Sequence, residues 1–174
     1  AFVANSWSTG DTIDGVSGDD TFNITAAANV AAPVGASVKN IDTATVTTTG
    51  TVSLNTTEWT GLTSLTSTGA GTAALTASAT TDVVNTSTLL TAGAGTELSI
   101  TGGKDITSTS TDTQVLGTAS ASQIVIGGAS TAAPTGAVTV THTETGTDAA
   151  GNTTSTGASL TVTGGTSITT TYNL

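Results

Sequence analysis

The chain has no cysteine, no methionine and no arginine, and only two prolines. Without cysteine there is no disulfide framework and no thiolate chemistry. Stability must then come from packing, hydrogen-bonded ladders or bound metal. Aromatic residues make up 3% of the 174 residues, which excludes a conventional core built from several large side chains. Basic residues are limited to Lys39 and Lys104 against twelve acidic ones, a net charge of −10. Phosphate binding draws its affinity from Lys and Arg, so nucleic acid is excluded as a partner and anionic membrane surfaces are disfavoured. No apolar run is long enough to span a bilayer, so no membrane insertion is expected. No basic-then-apolar signal opens the chain, and any export signal is expected to have been removed or to lie elsewhere.

What is present is threonine, roughly a quarter of all residues. Its two branches at Cβ favour an extended backbone. Charged residues are 8% and hydrophobic ones 36%, carried mostly by Ala and Val. Such low charge argues against a disordered, solvating chain. A low-complexity Ser/Thr/Ala tail is the alternative, and recurring aliphatic groups speak against it. They run Val52/Leu54, Leu62/Leu65, Ala74/Leu75, Val83/Val84, Leu89/Leu90, Leu98/Ile100, Ile106, Val115/Leu116 and Ile124/Ile126.

Short strands separated by Gly-marked turns at this spacing predict an all-β fold, a parallel β-solenoid of the β-helix or β-roll kind. No segment shows a persuasive 3.6-residue period, so little or no helix is expected. Ala31-Ala32-Pro33-Val34-Gly35 reads as a turn, and residues 37–49 as one long strand-like segment. The coil is expected over 1–127, opening on a calcium-roll-like stretch. Residues 128–174 read as a β-rich cap or a continuation. There the alternating runs around Val138-Thr139-Val140 and Leu160-Thr161-Val162 are followed by Gly164-Gly165, which predicts an antiparallel hairpin.

Gly15-Val16-Ser17-Gly18-Asp19-Asp20-Thr21-Phe22-Asn23 matches the nonapeptide G-G-x-G-x-D-x-U-x of calcium-bound β-rolls, except that Val16 stands at the second glycine. Asp11 and Ile13 lie nine residues before Asp20 and Phe22. Carboxylates on adjacent coils, stacked about 4.8 Å apart, can share one ion through oxygen ligands. The expected cofactor is Ca2+. Asp11 and Asp20 are the preferred ligands, Asp14 and Asp19 helpers, and the Gly18 carbonyl completes the shell. The competing reading is that Asp and Gly simply make turns here. A later match, Gly93-Ala94-Gly95-Thr96-Glu97, falls out of register and reads as an ordinary turn.

Gly18-Asp19-Asp20-Thr21-Phe22 is followed by Val38-Lys39-Asn40-Ile41-Asp42-Thr43-Ala44-Thr45-Val46, then by Thr51-Val52-Ser53-Leu54-Asn55 and Thr60-Gly61-Leu62-Thr63-Ser64-Leu65. In that order these phrases resemble RTX-type bacterial surface-layer proteins of the Caulobacter kind, over residues 10 to about 110. RTX adhesins share them. The resemblance implies a right-handed parallel β-solenoid, type I export, calcium-triggered folding and a two-dimensional lattice on the cell surface. It leaves anchoring to a cell-surface polysaccharide to some other segment. The chain departs from the family in lacking a long run of nonapeptides.

The remaining residues offer little chemistry. His142, the single histidine, reads as part of a strand's solvent face between Thr141 and Thr143. No nucleophile–base pair is expected around it. An Asp19/Asp20 carboxylate pair invites comparison with glycosidases, but Trp7, Trp59 and Tyr172 are scattered in sequence. An enzyme is therefore not expected. Thr-x-Thr triplets such as Thr43-Ala44-Thr45, Thr139-Val140-Thr141 and Thr161-Val162-Thr163 suggest ice-binding solenoids, which present regular threonine arrays. Their unequal spacing along the chain counts against such a face. The expectation is a secreted structural protein that self-assembles into a surface layer or filament, with an adhesin module, cell-, surface- or ice-binding, as the alternative.

Overall fold

The computed structural model describes residues 2–3, 7–89, 95–116, 122–128, 132–148 and 159–173. Among these residues all regular structure is β, with no helix. One sheet stacks eight strands: β1 (Phe2–Val3), β3 (Thr21–Ala26), β6 (Thr43–Thr48), β8 (Ser64–Gly69), β10 (Asp82–Leu89), β12 (Ile106–Leu116), β14 (Ala137–Asp148) and β16 (Ser167–Asn173). A second stacks six: β4 (Val30–Ala31), β7 (Val52–Asn55), β9 (Ala73–Ala77), β11 (Gly95–Gly102), β13 (Ser122–Gly127) and β15 (Ser159–Thr163). A two-stranded sheet pairs β2 (Thr12–Asp14) with β5 (Ser37–Lys39).

Every pairing is parallel, and from β6 onward the chain alternates between the two large sheets. Thr21, Thr43, Ser64 and Asp82 stand in one column, so the first circuits take 22, 21 and 18 residues. Val83, Ile106, Val138 and Ile168 stand in the next, at intervals of 23, 32 and 30. Turn length varies from circuit to circuit while the hydrogen-bonded register does not.

Because successive strand residues point to opposite faces, residues two apart share a face and adjacent ones do not. Val52 and Leu54 are both buried, as are Leu98 with Ile100 and Ile124 with Ile126. The adjacent pairs split: Val83 is buried but Val84 is exposed, and Leu75 is buried beneath an outward Ala74. Two columns from the six-stranded sheet, Val30–Val52–Ala73–Leu98–Ile124 and Leu54–Leu75–Ile100–Ile126, supply much of the aliphatic interior. Fully burying one such side chain contributes about 1.5–3 kcal/mol. At the N-terminal end Trp7, Phe22 and Trp59 meet, with ring centroids 5.3–5.9 Å apart. Far apart in the chain, they are neighbours in the fold.

Two expectations need correction. Residues 37–49 are two strands, broken where Asn40 adopts φ 52° between β5 and β6. Gly164-Gly165, both with positive φ, does not close an antiparallel hairpin. It carries the chain from β15 in one sheet to β16 in the other, and each strand continues its stack in parallel. A Gly-Gly turn between alternating runs supplies the required φ in either case, so it cannot specify which strand becomes the neighbour.

Candidate functional site

The aspartates of the N-terminal segment do not stack as nine-residue neighbours. Asp11 and Asp20 lie on one circuit, since β2 pairs with β5 and β3 with β6. Nine residues carry the chain only part of the way round a circuit of some twenty. The Asp11 carboxylate accepts from Ser8 N (2.7 Å) and Ser8 Oγ (3.0 Å). Asp14 Oδ1 accepts from Asn40 Nδ2 (2.8 Å) and Val16 N (2.9 Å). These donors, Asn40 foremost, hold its carboxyl below the ordinary carboxylate value, with the Lys39 charge adding to them. Asp19 is exposed, and Gly18 turns the chain at φ 110°.

Asp20 meets the next circuit at Asp42, which the sequence reading had not singled out. Asp20 N donates to Asp42 Oδ2 (2.9 Å), and Asp20 O accepts from Asp42 N and Thr43 N. Asp20 Oδ2 is itself buried and has no hydrogen-bond partner. It presses on Gly15, where an added Cβ would stand 2.6 Å from it. Among the described residues no group of three or more His, Asp or Glu stands where it could hold a metal ion. Gly15, Asp20 and Asp42 come together. Asp11 and Asp14 are engaged by other partners.

A second cluster was not legible beforehand. In the later circuits the inward columns of the eight-stranded sheet turn polar: Ser67, Asn85 and Ser108 follow Val46, while Ser110 and His142 follow Ser87. His142 is fully buried, contrary to a solvent-face reading. It stands in register between Ser110 and Tyr172. Its alternation with Val138 and Val140 carried that information, but flanking threonines disguised it. Ser110 Oγ lies 2.8 Å from His142 Nδ1, and His142 Nε2 lies 3.8 Å from Glu144 Oε1. A hydroxyl–imidazole pair thus exists where none was expected. Ser110 and His142 are both 0% exposed, so the arrangement is a core network. Burial pushes the imidazole below its usual value of 6.5, opposed by the charges of Glu144 and Asp112. Glu97, read as a turn residue, is also buried, at a register shift between Thr96 and Leu98.

The outer face of the eight-stranded sheet is the most regular surface. One column runs Thr25, Thr47, Thr68, Thr86, Thr109, Thr141, Thr171. The column beside it runs Asn23, Thr45, Thr66, Val84, Thr107, Thr139, Thr169. Thr45 and Thr139, from triplets unequally spaced in sequence, therefore share one column because turns absorb the length differences, whereas Thr161 and Thr163 lie on the six-stranded sheet. A cleft of about 180 Å³ opens beside Trp59, lined among others by Ala36, Val38, Asn55 and Glu58. That is below the roughly 300 Å³ at which small-molecule sites usually begin. Comparison with protein families, with curated proteins and with solved structures found no match.

Proposed function

We propose that the chain is a parallel β-solenoid from an extracellular, RTX-like structural protein that self-associates into a surface layer or filament. The observation that supports this reading most is the stack itself. Strand after strand pairs in parallel with the strand one circuit away, and among the described residues β16 pairs with β14 alone. All seven of its residues are exposed. It carries no charge and no proline, the devices that ordinarily protect an edge from pairing with another molecule.

Calcium assistance belongs to the same proposal. A net charge of −10 keeps separate subunits apart until divalent cations screen it. The unpartnered Asp20 Oδ2 beside Asp42 offers an oxygen for such an ion. Electron microscopy of the purified chain with calcium is expected to reveal ordered sheets or fibres, and monodisperse particles would refute assembly. Excess EDTA is expected to loosen the assembly and lower its melting temperature. An unchanged melting curve removes calcium from the account.

A further inference from the structure

We infer that the outer face of the eight-stranded sheet is an ice-binding surface, its ligand a crystal plane of water laid across the two threonine columns. The inference goes beyond the structural role and needs only the stack, not self-association. Its first support is registry. Residues two apart on a strand repeat at about 6.6 Å and strands repeat at about 4.8 Å, and both repeats lie close to oxygen spacings in hexagonal ice. Water ordered over one threonine is then in phase with water over the next, along the strand and across strands. None of the pairings from β3 to β16 in this sheet has a register shift, whereas the other large sheet has one between Thr96 and Leu98.

The second support is one-sidedness. Were threonine present only for its β propensity, both outer faces would carry it. The outward columns of the six-stranded sheet read Ala31, Ser53, Ala74, Ser99, Val125, Thr161 and, beside it, Asn55, Thr76, Thr101, so threonine there is scattered and forms no unbroken column. The opposite face has threonine at all seven positions of one column and at five of seven in the next. The third support is chemical. A threonine's hydroxyl and methyl are held in few rotamers by branching at Cβ, so an array of them is preorganised. Neither column contains a charged residue, whose tight hydration would disrupt an ice-like layer. Asp82 and Asp105, tied to Lys104 at 3.3 Å, lie to the flank.

The test uses the 174-residue chain, scored by incorporation into a slowly growing ice front and by inhibition of ice recrystallisation. Thr68→Lys with Thr109→Lys places two charges in the centre of the regular column. Ala74→Lys places one on the opposite face as a control. Circular dichroism melting checks that each variant folds as the parent does. The inference expects the parent and the control to enter ice and the double variant to be excluded. It is overturned if the parent is rejected from ice, or if the double variant enters as readily as the parent. Ordered sheets or fibres in the microscope without ice uptake would sink this inference and leave the structural proposal standing. Ice uptake by a monodisperse protein would do the reverse.

Discussion

The early and late circuits share one register but not one interior. In β3 and β6 the buried inward positions are Phe22, Ile24, Ala44, Val46 and Thr48, apolar except for Thr48 at the strand's end. In β12 and β14 they are Ile106, Ser108, Ser110 and Asp112, then Val138, Val140, His142 and Glu144. The strands lengthen from 6 residues to 11 and 12. Among the described side chains the aliphatic content of a rung does not grow from β3 to β14. The further inward positions described, Ser110, Asp112, His142 and Glu144, are groups that must find hydrogen bonds, since a buried polar group without one costs about 1–3 kcal/mol. One end is thus held by burial of apolar surface, the other in part by a polar network whose strength depends on protonation.

Substitutions can break that contrast. Leu65→Ala, in the fully buried column above Ala44, is expected to cost about 2–5 kcal/mol by chemical denaturation. Ser110→Ala, which strips the imidazole of its 2.8 Å partner, is expected to cost about 1–3 kcal/mol. An equal loss at the two sites would show that the two interiors do not differ in kind.

Acid sharpens the contrast. The His142 imidazole titrates below 6.5 in the folded chain, so protons favour the unfolded state. Its contribution is complete above pH 6.5 and is lost as pH falls from there toward the folded-state value. Asp14 and Asp105, held below 3.8, act in a lower window, with stability lost as pH drops beneath that value. The melting temperature is therefore expected to begin falling near pH 6.5, and His142→Gln is expected to flatten that first step alone. A wild-type profile flat down to pH 4 would contradict the buried, neutral histidine.

The smallest effect lies at the N-terminal end. Val16 holds φ 66° and is 78% exposed, a β-branched residue in left-handed backbone. Val16→Gly is expected to stabilise by about 1–2 kcal/mol. Loss of stability there would mean that the Val16 side chain makes a contact that outweighs the strain.

The strands and turns were legible because period-two patterning and glycine act locally. The inward placing of Val52, Leu54, Leu98 and Ile100 follows directly from it. The aspartates were read through a nine-residue repeat, but a circuit takes about twenty residues here, so Asp20 meets Asp42. His142 was misread because threonine is compatible with either face of a strand, and its neighbours masked the phase set by Val138 and Val140.

Composition and alternation alone settled that this chain would be β, thinly cored, free of thiol chemistry and strongly acidic, because these properties belong to residues and their nearest neighbours. Which strand lies beside which was decided only in three dimensions. Parallel neighbours are joined through turns of unequal length, so spacing along the chain does not record register. The hydrogen-bonded ladders restored it, turning scattered threonines into two columns and burying a histidine among serines and carboxylates.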